Sequence, residues 1–292
     1  MRCGQRAFFR LPQLIIKCSA PGCYGPPHMP FTISHAAAAF PVHALGRSRL
    51  PLAAIMIGSI TPDLVFYIPR FAEYDNSHSL PGVFTFCMPL GLLMWWFFIR
   101  VLERPTISWL PEGWRTRITP TPRPDMRAWF WAALAVVLGA ITHLVWDSFT
   151  HSETPVVNAL PALRNEVFHA GGVTVRFYFL LQILSSVFGL VVLAIWALRI
   201  PRQPRVPASV EVAKALPRPS NRDRIVAVGF VAAMSCFVAA LNYFRYSHLP
   251  AGAIMFVVLV GGMAGAAIGW TIVALTIRVS QRTRVSPSWS DP

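Results

Sequence analysis

Apolar residues run in five long blocks along the chain, at about Leu80–Leu102, Ala128–Phe149, Phe177–Ile200, Ile225–Phe244 and Gly252–Ile277. Polar, Pro- and Arg-rich segments separate them. An α-helix needs about 20 apolar residues to cross the hydrocarbon core of a bilayer. The pattern therefore predicts five membrane-spanning helices. The last block carries Gly261, Gly262, Gly265 and Gly269, and the Gly265/Gly269 spacing favours close helix packing.

A different pattern occupies residues 33–68. Two shorter apolar pieces, Ile33–Leu45 and Leu50–Ile60, flank the basic turn Gly46-Arg47-Ser48-Arg49. Neither is long enough to span comfortably, so a helical hairpin dipping into the membrane is expected. Thr61-Pro62 should break its second arm, because Pro62 lacks an N–H and Thr61 can cap a new turn. Broken backbone at membrane depth survives only where protein or a cavity surrounds it. The expected fold is all-α: an integral membrane helical bundle of one re-entrant helical hairpin plus about five transmembrane helices. Residues 29–280 form its single membrane domain, with 281–292 as a cytoplasmic tail. Residues 1–28 are basic, with an apolar patch at Leu14–Ile16 too short for a signal-peptide core. They are expected to be a disordered tail or a start-site artefact ahead of Met29.

Composition agrees with the membrane reading. Charged residues are 13% of the 292, where soluble domains carry about 25%. The net charge of +14 does not indicate nucleic acid as a partner, because the basic residues lie between the apolar blocks. Loop 100–127 holds six Arg (Arg100, Arg104, Arg115, Arg117, Arg123, Arg127), and loop 199–224 holds Arg199, Arg202, Arg205, Lys214, Arg218, Arg222 and Arg224. Arg278, Arg282 and Arg284 follow the last block. Alternating spans put all three groups on one side, and the excess of positive charge makes that side, with the C-terminus, cytoplasmic. Arg47 and Arg49 join them if the hairpin enters from the far side. Arg70, Arg164, Arg176 and Arg245 fall opposite. Cys87 and Cys236, inside apolar blocks, read as packing residues, and no Cys spacing suggests zinc binding.

The chemistry lies in six polar residues. His143, Asp147 and His151 recur at i, i+4 and i+8, so they share a helix face at the extracytoplasmic end of their span. Ionisable groups there face the bundle interior by default. His35 starts the first hairpin arm and Asp63 follows the second, and arms of equal length return the two to each other. His78 precedes the next span on the same side. Taken singly, each His is an ordinary hydrogen-bonded residue, Asp147 a proton-relay or helix-locking group, and Asp63 an acid facing a helix dipole. Their convergence favours a divalent metal: Zn, or Mn or Fe, on imidazole and carboxylate ligands. Two adjacent ions would need about this many ligands and could activate water for hydrolysis. Asp63 and Asp147 are the candidate catalytic residues, bridging ions or positioning water. Glu166 and Gln182 are candidates for supporting contacts. His28, His43, His169 and His248 do not join the geometry.

The segments Pro30-Phe31-Thr32-Ile33-Ser34-His35-Ala36-Ala37, Gly58-Ser59-Ile60-Thr61-Pro62-Asp63, His78-Ser79 and Thr142–His151 resemble the DUF4184 family of bacterial multi-span membrane proteins. Members of that family typically begin near the Pro-Phe-Thr. More distantly, the pattern is similar to membrane-bound metal-dependent hydrolases with a Gly-Ser-x2-Pro-Asp and a His-Ser. Those also carry an Asp-x-Asp-His run, whereas Asp63 is followed here by Leu64-Val65. The resemblance implies a protein of the bacterial inner membrane. The leading expectation is a metal-dependent hydrolase acting on a lipid or phosphoester at the extracytoplasmic face. The alternatives are a transporter or ion-binding membrane protein, and a non-catalytic membrane scaffold.

Overall fold

The computed structural model describes residues 32–285, except 48, 68–73, 153, 171–172, 205–209, 211–215 and 217. The expectations for residues 1–28 and for Arg70, Arg205 and Lys214 lie outside the described residues. The hairpin takes the expected course. Its first arm is a 3-10 segment, Thr32–Ala38, that continues as helix α1 (Ala39–Leu45). Gly46 and Arg47 reverse the chain, with Arg47 in the left-handed region at φ 49°. Helix α2 (Leu52–Ile60) returns, and the His43 ring Nδ1 meets the Leu50 carbonyl at 2.7 Å, tying the arms.

A new turn, Pro62–Phe66, does follow the break, but Thr61 does not cap it. Thr61 is itself still helical (φ −62°, ψ −36°), so its hydroxyl lies over the preceding turn. It donates to the Gly58 carbonyl at 2.6 Å, the back-bonding habit of Thr in helices. Asp63 sits in the first turn beyond the break.

Five long helices follow: α3 (Leu80–Trp109, with π-helical turns at Val83–Cys87 and Phe98–Leu102), α4 (Met126–Thr150), α5 (Phe177–Arg199), α6 (Asn221–Tyr246) and α7 (Ala251–Val285). All five are long and apolar enough to cross a membrane. The fold is an all-α membrane helical bundle. Polar caps carry several helices past the apolar blocks. Asp125 accepts from the Ala128 amide at 2.7 Å and starts α4. Ser220 and Asp223 form a reciprocal capping box at the head of α6. Helix α7 runs to Val285. A short β-hairpin, β1 (Glu166–Ala170) against β2 (Val173–Arg176), joins α4 to α5 and was not anticipated. Its strands are only five and four residues long, too short to register beside 20-residue apolar blocks.

The core lies between the hairpin, α3 and α4, where Ala54, Ile55, Trp95, Ala132, Ala135 and Val136 are buried together. Within lipid, helices associate chiefly through close packing of small residues. Gly58 and Gly139 supply it: a Cβ on Gly58 would lie 2.2 Å from the Val136 carbonyl oxygen, and one on Gly139 2.3 Å from that of Ile55. Helix α2 therefore rides directly on α4, running in the same direction. Helices α6 and α7 pair in the same manner, since a Cβ on Gly265 would lie 2.3 Å from the Met234 carbonyl oxygen. Cys87 is a buried packing residue as expected, but Cys236 on α6 is exposed. An apolar stretch that faces lipid needs no buried side.

Candidate metal centre

Close contact between α2 and α4 places the end of one beside the end of the other. The Ser59 carbonyl meets His143 Nδ1 at 2.7 Å. A carbonyl can only accept, so Nδ1 carries a proton, and in the neutral ring, the form that can bind a metal, Nε2 presents its lone pair. His78 is fixed in the same way from its own turn, Tyr74–Ser77. The Ser77 hydroxyl donates to the Tyr74 carbonyl at 3.0 Å and lies 2.9 Å from His78 Nδ1. With its hydrogen committed, the Ser77 oxygen accepts from Nδ1, and His78 Nε2 is left as a lone pair. Tyr74 also stacks on the His78 ring at 3.8 Å between centroids. Burial, then the carboxylates of Asp147, Asp63 and Asp75, push the Tyr74 phenol well above its usual range. Asp63 is oriented by the Thr32 hydroxyl, which donates to Oδ2 at 2.6 Å.

Both lone pairs face carboxylates. His143 Nε2 lies 3.1 Å from Asp147 Oδ2 and 3.5 Å from Asp63 Oδ1. His78 Nε2 lies 3.4 Å from Asp63 Oδ1 and 3.7 Å from Asp147 Oδ2. Neither Nε2 makes a hydrogen bond, nor does Asp147 Oδ1, although all three atoms are buried. Charge-assisted N–H···O bonds are about 2.7–2.9 Å, shorter than every one of these separations. Acceptors facing acceptors in a buried site are unfavourable unless a cation lies among them. Ligands about 2.0–2.1 Å from a tetrahedral ion are about 3.3 Å apart, and the four distances scatter around that value. One ligand atom from each of Asp63, His78, His143 and Asp147 lies within 4.8 Å of the others, a group able to hold a metal ion.

The other two expected residues also approach Asp147. His35 Nε2 is 3.5 Å and His151 Nδ1 3.6 Å from Asp147 Oδ1. The His35 ring also stacks on His143 at 4.1 Å between centroids. All six residues singled out in the sequence thus meet at one end of the bundle.

Of the two supporting candidates, Gln182 on α5 is buried, its Nε2 3.4 Å from His151 Nε2. Glu166 is not at the site. It is exposed on β1 and pairs with His169 at 3.6 Å, because the unanticipated strand carries it away. The sequence reading passed over Thr32, Ser59, Tyr74 and Ser77. Tyr74 precedes His78 by four residues and Thr32 precedes His35 by three, spacings that bring side chains together on a helical turn. Ser59 acts through its backbone and leaves no mark in the sequence.

No curated protein and no solved structure matches this chain. A family model described as a domain of unknown function, DUF4184, matches residues 29–276, and the chain belongs to that family.

Proposed function

We propose that this protein is a membrane-embedded, metal-dependent hydrolase acting on a lipid or phosphoester at the extracytoplasmic face. The observation that carries the reading is the set of buried lone pairs from Asp63, His78, His143 and Asp147 turned towards one another. These four residues would hold a divalent ion, with Zn favoured and Mn or Fe admitted by the same donor chemistry. When bound, such an ion supplies Lewis acidity that polarises a substrate oxygen and acidifies water at neutral pH.

The chain's own groups prepare the site. Ser59 and Ser77 fix the two His tautomers, and Thr32 fixes the Asp63 carboxylate. Supports of this kind raise ligand basicity and hold orientation. The buried surroundings limit water and strengthen each electrostatic contact. The Tyr74 phenol, kept protonated beside the carboxylates, can only donate at its hydrogen until strongly alkaline pH.

The proposed orientation, with loops 100–127 and 199–224 and the C-terminus cytoplasmic, is supported by the Arg distribution. The bilayer is the partner and the bacterial inner membrane the location. The test is turnover of phosphoester and phospholipid substrates by the purified, metal-supplemented protein in detergent, with Asp63→Asn as the inactive control. Turnover abolished in Asp63→Asn supports the reading. Ion flux in liposomes without turnover would instead identify an ion-conducting protein.

A further inference from the structure

The link between α4 and α5 starts at His151 and ends at Phe177, on the side of the bundle that holds the six residues. Its two ends meet at the site, where Gln182 Nε2 lies 3.4 Å from His151 Nε2. Two short helical turns, Pro155–Ala159 and Pro161–Arg164, lead into the β1–β2 hairpin. Val157, Leu163 and Val175 of this link are buried. Leu160, Val167 and Phe168 are not: they are 47%, 46% and 48% exposed, although they lie outside the spans.

Register sets how far these side chains stand from the bilayer. Phe168 pairs with Val175 and Glu166 with Arg176, which leaves Val167 as the extra residue of a bulge. Bulges re-aim side chains. Val175 precedes Phe177, the first residue of α5, by two positions, or about 7 Å at about 3.3 Å per strand residue. The Phe177 amide donates to the Asn165 carbonyl at 3.0 Å and pins the base of β1 to the head of α5. That head reads Arg176-Phe177-Tyr178-Phe179, and aromatic residues of this kind gather where hydrocarbon meets headgroups. The headgroup layer is about 5–7 Å deep on each side of the core. Val167 and Phe168 belong to the base of the hairpin and not to its tip, so they fall at the level of that layer.

An isolated two-stranded hairpin is marginally stable in water, which favours a cover over its bare apolar side chains. Continuity says what the cover is. Phe177, Leu184 and Phe188 carry exposed apolar surface from the base of the hairpin down the lipid-facing side of α5. Arg164 and Arg176 flank β1 and β2, and basic groups beside buried apolar ones bind anionic lipid surfaces.

We propose that Leu160, Val167 and Phe168, with Arg164 and Arg176, form a foot resting in the lipid headgroup layer on the His151 side of the membrane. Its partner is an anionic phospholipid surface. Gln182 lies five residues beyond Phe177, about 7.5 Å along the helix at 1.5 Å per residue. The foot therefore gathers lipid headgroups about one and a half turns above the His151 edge of the six-residue cluster. This surface goes beyond the hydrolase reading and stands without it.

The test is spin labelling of the full-length protein, in a cysteine-free background, in vesicles of phosphatidylethanolamine and phosphatidylglycerol. Nitroxides are attached to Leu160→Cys, Val167→Cys or Phe168→Cys, each replacing one exposed side chain away from the six residues. Power saturation compares collision with oxygen and with a soluble nickel chelate. Phe188→Cys, 66% exposed on α5, is the lipid reference. Glu112→Cys, whose side chain is 57% exposed between α3 and α4, is the water reference. The oxygen-to-nickel ratio at all three positions should rise above the water reference and stay below the lipid one. Ratios equal to the water reference overturn the proposal, because the hairpin then stands in solvent. Low collision with both reagents overturns it too: dipolar broadening that fades on dilution with unlabelled protein marks a second copy on this face, and its absence marks cover by the chain itself.

Discussion

Gly139→Ala adds one methyl group to α4 and should dismantle the site without touching any of its side chains. The new Cβ would lie 2.3 Å from the Ile55 carbonyl oxygen, 2.8 Å from the Ser59 amide nitrogen and 3.1 Å from the Gly58 carbonyl carbon. All three are backbone atoms of α2, so no side chain can swing aside. Ordinary contact is about 3.5 Å, and α2 must retreat by roughly 1 Å. That retreat breaks the 2.7 Å bond between the Ser59 carbonyl and His143 Nδ1, and it carries Asp63 away from His78 and His143. Metal ligands tolerate about 0.2 Å, and a misplacement of about 1 Å at a working site costs about 100-fold. Metal affinity should therefore fall by about 100-fold, and stability by about 1–3 kcal/mol from overpacking. Isothermal titration of Zn²⁺ into the stripped protein reads the first, and thermal unfolding in detergent the second. Gly229→Ala is the control, since its Cβ would meet nothing within 4 Å. Wild-type Zn²⁺ affinity in Gly139→Ala would refute the claim that α2–α4 contact positions the ligands.

Three further outcomes are expected. Thr32→Val removes the 2.6 Å hydrogen bond to Asp63 Oδ2 and should weaken metal binding by about tenfold, while Thr32→Ser should restore it, both read by the same titration. The Tyr74 phenol stays protonated through the normal tyrosine range, so Tyr74→Phe should leave the ultraviolet phenolate signal gained between pH 9 and about 11 unchanged. Favouring the protonated form in the fold, it contributes stability that is complete below about pH 10 and lost as pH rises beyond; a signal lowered by one tyrosine in the variant would contradict this. In a background free of other cysteines, Cys placed at residue 158 should react with an impermeant reagent on intact cells and Cys at 118 should not; the reverse pattern inverts the orientation.

The long helices were legible because lipid imposes one rule on every span, and the apolar blocks of α3 to α7 follow it. The six site residues were legible because i, i+4, i+8 spacing and a symmetric hairpin are enough to converge side chains. What sequence pattern did not carry was anything resting on backbone position. The Ser59 carbonyl orients His143, yet any residue at 59 offers the same carbonyl. The close approach of Gly58 to Gly139 needs two glycines from separate elements, and neither block signals the other. The Thr61 hydroxyl turned back onto α2 because that residue stayed helical, a choice made by the packing around it. Glu166 was lost to the site because a nine-residue pair of strands has no periodicity strong enough to announce itself.

The central claim is that buried histidine and aspartate lone pairs hold a divalent ion. Elemental analysis of the protein purified without chelator, wild type beside His143→Ala, tests it most directly. His143 supplies Nε2 between both carboxylates and is fully buried. The account predicts at least one equivalent of Zn, Mn or Fe per chain in wild type and well under a tenth of that in the variant. Metal absent from wild type, or present equally in both, would contradict it.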